Sequence, residues 1–198
     1  MSKVVDYYYT PASPWTYLGH QRFEEIARHR RATIQYKPVD YGKVFPLSGG
    51  LPLGKRAPQR QAYRLVELKR WRDFLGVPLT VQPKYHPVAS DLACQLIIAA
   101  ERAGAPPGPL SYALMRACWA EERNISDAET LAAVASEQGL DGAKLVSIAR
   151  TPEVTMLYEA LTREAIDRQV FGAPFFIYHD EPFWGQDRLD FLDRALAR

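Results

Sequence analysis

The first apolar stretch of the chain, Val4-Val5-Asp6-Tyr7-Tyr8-Tyr9, is nearly continuous and rich in β-branched and aromatic side chains, the pattern of a buried strand. Beyond Ser13-Pro14, the positions Phe23, Ile26 and Ala27 fall at helical spacing and predict a helix over 14–29. A second strand is predicted over Ala32–Pro38, around Thr33-Ile34-Gln35-Tyr36, so the chain opens as a βαβ unit with parallel strands and a right-handed crossover. Residues 41–58 break the pattern. Glycine and proline are dense there, Lys43, Lys55 and Arg56 add positive charge, and the segment reads as either a long ordered loop or a linker.

From Gln59 to Gln169 the spacing is helical almost throughout. In 59–75 the positions Ala62, Leu65, Leu68 and Leu75, widened by Val66, Trp71 and Phe74, predict one apolar stripe that Gly76-Val77-Pro78 ends. Ser90-Asp91 opens a helix whose run Leu96-Ile97-Ile98-Ala99-Ala100 is apolar on every side and so should be deeply buried. Ser126-Asp127-Ala128-Glu129 has the form of a capping box and predicts a helix over 127–137; further starts are expected at Gly108-Pro109, Asp141 and Thr151-Pro152. Strand chemistry returns with Pro174-Phe175-Phe176-Ile177-Tyr178 and Pro182-Phe183-Trp184, a hairpin around His179-Asp180-Glu181. Gly185-Gln186-Asp187-Arg188 then opens a last helix, with Leu189, Leu192 and Leu196, together with Phe191, as its expected buried face.

Setting the helical block aside leaves β-α-β followed by β-β-α, the thioredoxin-like plan. The predicted class is α/β: a discontinuous thioredoxin-like domain, 1–40 plus 170–198, carrying a loop and an all-helical insertion over 41–169. Lys and Arg number 25 against 23 Asp and Glu, with no polybasic tail, which points away from nucleic acid and anionic membrane surfaces. No apolar run approaches the ~20 residues a membrane-spanning helix needs, and Met1-Ser2-Lys3 leads straight into a strand, so a cytosolic protein is expected. Cys94 and Cys118 stand apart in helical surroundings and are expected to be reduced and packed; His20, His29, His86 and His179 are too scattered to suggest a metal centre.

Candidate chemistry gathers at the first strand-to-helix turn. Ser13 is a favoured N-cap, and Pro14 suits the first helical position because its missing N–H is not needed there. A hydroxyl at that place also lies at the positive end of the helix dipole, beside N–H groups with no intrahelical partner, which suits an anion. On local grounds Ser13 is either a cap or a site. Redox members of the thioredoxin-like class carry Cys-x-x-Cys at this turn, and the chain has Ser13-Pro14-Trp15-Thr16, which excludes dithiol exchange. The hydroxyl can instead donate to a sulfur brought by a ligand. Gly172-Ala173-Pro174 is either the cis-proline of that fold, leaving the Ala173 backbone free to pair with a bound thiol peptide, or an ordinary trans-proline opening a strand.

Three motifs, Ser13-Pro14-Trp15-Thr16-Tyr17-Leu18-Gly19, Val170-Phe171-Gly172-Ala173-Pro174-Phe175-Phe176 and Glu181-Pro182-Phe183-Trp184-Gly185-Gln186-Asp187-Arg188-Leu189, resemble in order and separation those of the 2-hydroxychromene-2-carboxylate isomerase and kappa-class glutathione transferase family. The resemblance spans essentially the whole chain. It implies a DsbA-like thioredoxin fold, glutathione as cofactor, and a cis-trans isomerase acting on an aromatic hydroxychromene-carboxylate acid, with a kappa-type transferase or peroxidase, or a binding module without chemistry, as alternatives. By the same resemblance Ser13 would hold the glutathione sulfur and Ala173 would pair with its cysteinyl unit. The segment Trp184 to Arg188 would receive the γ-glutamyl end, Asp187 taking the ammonium and Gln186 a carboxylate. Without the family, Asp187 and Arg188 are an ordinary charged first turn. Lys43, Lys84 and Tyr85 would lie at the acceptor pocket, where a lysine suits a substrate carboxylate. Gly50 stands where the family commonly has an asparagine, with Lys55 or Arg56 as possible replacements. Relatives are often dimers, so a homodimer is expected.

Overall fold

The computed structural model describes residues 2–198. Strand β1 (Lys3–Tyr9), helix α1 (Pro14–Arg30) and strand β2 (Ala32–Pro38) form the expected opening unit, and strands β3 (Phe175–Tyr178) and β4 (Glu181–Trp184) complete one sheet of order β2-β1-β3-β4. β1 runs parallel to β2, from Lys3 opposite Ala32 to Tyr9 opposite Pro38, and antiparallel to β3, with Tyr7 opposite Phe176. The β3–β4 turn is His179-Asp180, both residues at positive φ (48° and 63°), the two-residue geometry whose twist matches a hairpin.

Side chains alternate across β1 with period two. Val5, Tyr7 and Tyr9 enter the main core, whereas Tyr8 enters a smaller cluster with Val39, Val44, Phe175 and Ile177 on the other face. Both faces are therefore covered, which is why the first strand reads as a continuous apolar run. The main core is continuous with the helical region, α3 (Pro58–Leu75), α4 (Asp91–Arg102), α5 (Pro107–Trp119), α6 (Ala128–Glu137), α7 (Gly142–Ala149) and α8 (Pro152–Asp167). Leu96, Ile97, Leu114 and Trp119 sit in it fully buried.

Four local expectations are corrected. Within 41–58 there is neither a plain loop nor a linker: Tyr41–Ser48 is helix α2, and Leu53–Lys55 is a 3-10 turn. Asp40 caps α2 by accepting from the Gly42 N–H at 2.7 Å, and burial of Tyr41 and Val44 outweighs the single backbone bond that Pro46 cannot make. The stripe predicted for α3 is buried only in part, with Ala62, Val66 and Phe74 exposed. Leu68 alone is fully buried and Phe74 is 78 % exposed, because a helix at the rim of the molecule can bury only one edge. Asp127, not Ser126, caps α6, its carboxylate accepting from the Thr130 N–H at 2.8 Å, while the Ser126 hydroxyl donates to Asn124. In the last helix, α9 (Leu189–Leu196), Phe191 is exposed and only Leu189, Leu192 and Leu196 are buried.

The base of α1 is fixed by a buried polar column. Tyr7 OH lies 3.2 Å from His20 Nδ1, and His20 Nε2 lies 3.2 Å from the Gly108 carbonyl at the start of α5. A carbonyl can only accept, so Nε2 donates to it. α1 is thereby tied to the sheet on one side and to the helical region on the other.

Candidate active site

The start of α1 is the focus of the site. Ser13 has extended backbone and its Oγ accepts from the Thr16 N–H at 3.2 Å, while Pro14 occupies the first helical position. The same hydroxyl can donate to the Ala173 carbonyl at 3.5 Å, the weak limit of hydrogen bonding, so its proton is open to a better acceptor. Ala173–Pro174 is a cis peptide. It sits just before the β1–β3 ladder, which begins at Phe175, so the Ala173 backbone faces the Ser13 turn outside the sheet.

Two backbone contacts draw the segment after β4 to the same place. The Gly185 N–H donates to the Pro174 carbonyl at 2.9 Å, and Arg22 of α1 donates to the Gln186 carbonyl at 2.6 Å. Gly19 permits this approach: a Cβ there would stand 2.6 Å from the Gln186 Cβ. The Gln186 side chain is buried against α1, and its Oε1, like Thr16 Oγ1 and Arg22 Nε, has no hydrogen-bond partner among the described residues. Asp187 pairs with Arg188 at 2.6 Å in the 3-10 turn Gln186–Arg188, and Trp184 is half exposed beside Phe171. Ser13, Ala173 and the Trp184–Arg188 segment are thus brought together from three separate parts of the chain.

The other candidates make contacts of their own. Lys43, on α2, forms an exposed ion pair with Glu159 of α8 at 3.5 Å. Lys84 Nζ lies over the Tyr85 ring, 5.0 Å from its centroid, in the link before α4. At Gly50 a Cβ would stand 2.5 Å from the Phe45 ring, so any side chain there, asparagine included, needs Phe45 to move.

Sequence reasoning missed a second group on this flank. Trp119, fully buried at the end of α5, donates its indole N–H to the Pro11 carbonyl at 3.3 Å and so ties the helical region to the turn two residues before Ser13. His86 packs on the same indole, centroids 4.6 Å apart, and the Arg64 guanidinium lies over it at 5.9 Å. Burial, reinforced by Arg64, pushes the His86 imidazole down to about 4, so it is neutral near pH 7. Burial and then the neighbouring Arg56 bring Arg64 down to about 10. Nothing local marked these residues: Trp119 reads as core, and Arg64 as one more helix-surface cation.

No protein sulfur serves the site. Cys94 and Cys118 are free and buried, and burial pushes both thiols up to about 12. Iodoacetamide at pH 8 is expected to leave both unmodified in the native protein and to alkylate both in urea; native alkylation of either would contradict this environment. Among the described residues no group of three His, Cys, Asp or Glu is placed to hold a metal ion, and no helix is long and apolar enough to cross a membrane.

A thioredoxin-like sheet with a helical insertion, a cis-proline loop and a serine at the helix start defines a class, and the DSBA-like thioredoxin domain model matches residues 4–197, so the chain belongs to that family. Within it the chain is similar to 2-hydroxychromene-2-carboxylate isomerases. It is 31% identical to that of Pseudomonas putida over 199 residues, covering 98% of this chain and 95% of the relative. A solved 2-hydroxychromene-2-carboxylate isomerase superposes with a TM-score of 0.86 at 29% identity, covering 98% and 95% of the two chains. The kappa 2 glutathione S-transferase of Caenorhabditis elegans is 28% identical over 211 residues, covering 96% and 92%. The chain is an isomerase-like enzyme of this family.

Proposed function

We propose that the chain is a glutathione-dependent cis-trans isomerase that converts a 2-hydroxychromene-2-carboxylate type acid to its trans-alkenyl pyruvate. The observation that carries the reading is the Ser13 hydroxyl, held at the start of α1 and weakly engaged with the Ala173 carbonyl at 3.5 Å, in a protein whose own thiols are buried and protonated. The groups present fit a thiol tripeptide: one hydroxyl and a helix N-terminus for the sulfur, an off-sheet backbone at Ala173, and a carboxylate at Asp187 for an ammonium group. The kappa-class relative named above supports the same cofactor. Bound glutathione would supply a nucleophilic sulfur that adds to a conjugated carbon and leaves again, so that rotation occurs about a single bond.

The chain's residues have the remaining work. Ser13 donates its proton toward the sulfur and, with the positive end of α1, favours the thiolate over the thiol. Ala173 fixes the peptide strand-fashion, and the Gly185–Arg188 turn receives its amino-acid end. Basic groups on the flanking loops steady the acid substrate and the charge that develops on its carbonyl oxygen. Gln186 acts through its backbone in this scheme, since its side chain is buried. A homodimer in the cytosol is part of the proposal.

The balance of free thiol tests it. During turnover of a 2-hydroxychromene-2-carboxylate with glutathione, product accumulates while titratable thiol stays constant. Loss of one thiol per product would instead establish a kappa-type transferase, a reading that the transferase relative also supports.

A further inference from the structure

Three consecutive carbonyls ahead of β3 are each held by a different element. The Gly172 carbonyl accepts from the Tyr41 hydroxyl at 2.8 Å, the Ala173 carbonyl from Ser13 at 3.5 Å, and the Pro174 carbonyl from the Gly185 N–H at 2.9 Å. The Ser13 contact is the weakest, so the loop is pinned on either side of Ala173, by α2 and by the turn after β4. Tyr41 opens α2 and is buried with Tyr8, Val39, Val44 and Phe175, in the small cluster against which Ala173 packs. Burial pushes its hydroxyl well above the ordinary tyrosine range, so it stays a protonated donor; the other oxygen within its reach, the Tyr8 carbonyl at 3.3 Å, can only accept.

The Tyr41 bond also sets a direction. The Gly172–Ala173 peptide is trans, and in a planar trans peptide the C=O and the N–H point opposite ways. Holding the Gly172 carbonyl on Tyr41 therefore aims the Ala173 N–H away from that hydroxyl. No described residue accepts from this N–H. Gly172 is also hemmed in by the Trp184 indole, whose nitrogen a Cβ at Gly172 would strike.

We propose that Tyr41 is a positioning residue for the site: its hydroxyl, through the Gly172–Ala173 peptide, aims the Ala173 N–H at a backbone acceptor of the bound thiol peptide. The inference rests on the glutathione reading for the identity of that peptide, and on the geometry alone for the loop. It makes α2, a segment whose composition reads as loop or linker, part of what shapes the site.

Tyr41→Phe deletes the donor and little volume. Glutathione, titrated calorimetrically into the full chain, is expected to bind this variant about fivefold more weakly than wild type, the worth of one neutral hydrogen bond no longer made in line. The variant also leaves the Gly172 carbonyl without its donor and should melt lower. Val44→Ala, a truncation in the same helix and the same cluster, is the control: it should melt lower too, and bind glutathione like wild type. Amide hydrogen exchange, read without ligand, follows the loop itself. The Gly185 N–H should exchange about fivefold faster in Tyr41→Phe than in wild type, and no faster in Val44→Ala. Glutathione affinity of Tyr41→Phe equal to that of wild type, an equal loss of affinity in Val44→Ala, or unchanged exchange at Gly185 would each overturn the proposal. Should wild type bind no glutathione, the glutathione reading fails by itself, and Tyr41 stands or falls as the anchor of the loop on the exchange result.

Discussion

Replacing Ser13 by alanine is expected to lower the proposed glutathione-dependent turnover by about 100-fold, the usual loss when one donor aimed at a reacting anion is removed. The same substitution costs about 1 kcal/mol of stability, because the Thr16 N–H loses its cap. The two effects can be separated. Ser13→Gly keeps most of the capping energy, since glycine is a tolerated N-cap, and it still lacks the hydroxyl. Thermal melting should therefore rank the proteins wild type, glycine, alanine, while kcat/KM with glutathione should place both variants together, far below wild type. Turnover of Ser13→Gly within a few-fold of wild type would reduce Ser13 to a helix cap and remove the mechanism.

Replacing Trp119 by alanine removes about 3–5 kcal/mol of stability, because the indole is fully buried and the cavity left behind can close only in part. For a domain of ordinary stability that is a large share of the total. Trp119→Phe keeps much of the volume and deletes the N–H, leaving the Pro11 carbonyl without its partner at a cost of about 1–2 kcal/mol. Urea unfolding measures both. Under conditions where it remains folded, the phenylalanine variant should also lose turnover, because the turn that presents Ser13 is no longer anchored to α5. Full activity in folded Trp119→Phe would show that the anchor does not position the site.

The candidate site was legible to the extent that its parts are short motifs. Ser13-Pro14 announces a helix start, Ala173-Pro174 the loop ahead of β3, and Gly185 to Arg188 the turn into the last helix. Each is a local backbone event, dictated by residues within a few positions of one another, and the family resemblance gave them an order. The segment 41–48 misled because its proline and glycines are loop-like in isolation, and the burial of Tyr41 and Val44 that makes it helical comes from distant residues. Trp119, His86 and Arg64 were illegible for the same reason. The Trp119–Pro11 bond spans 108 residues, and no pattern at either end encodes the other.

The amino-acid order by itself determined the strands, the start of α1, the hairpin and the lack of a Cys-x-x-Cys pair at the first strand-to-helix turn. Those follow from alternation, capping and residue type, all of which act over short distances along the chain. Only the tertiary structure decided which apolar side chains of α3 and α9 face solvent, that the Gln186 side chain turns inward, and that Arg64 lies over the indole beside the Ser13 turn. Periodicity reports which side chains share a face of an element; what that face meets depends on how distant elements pack.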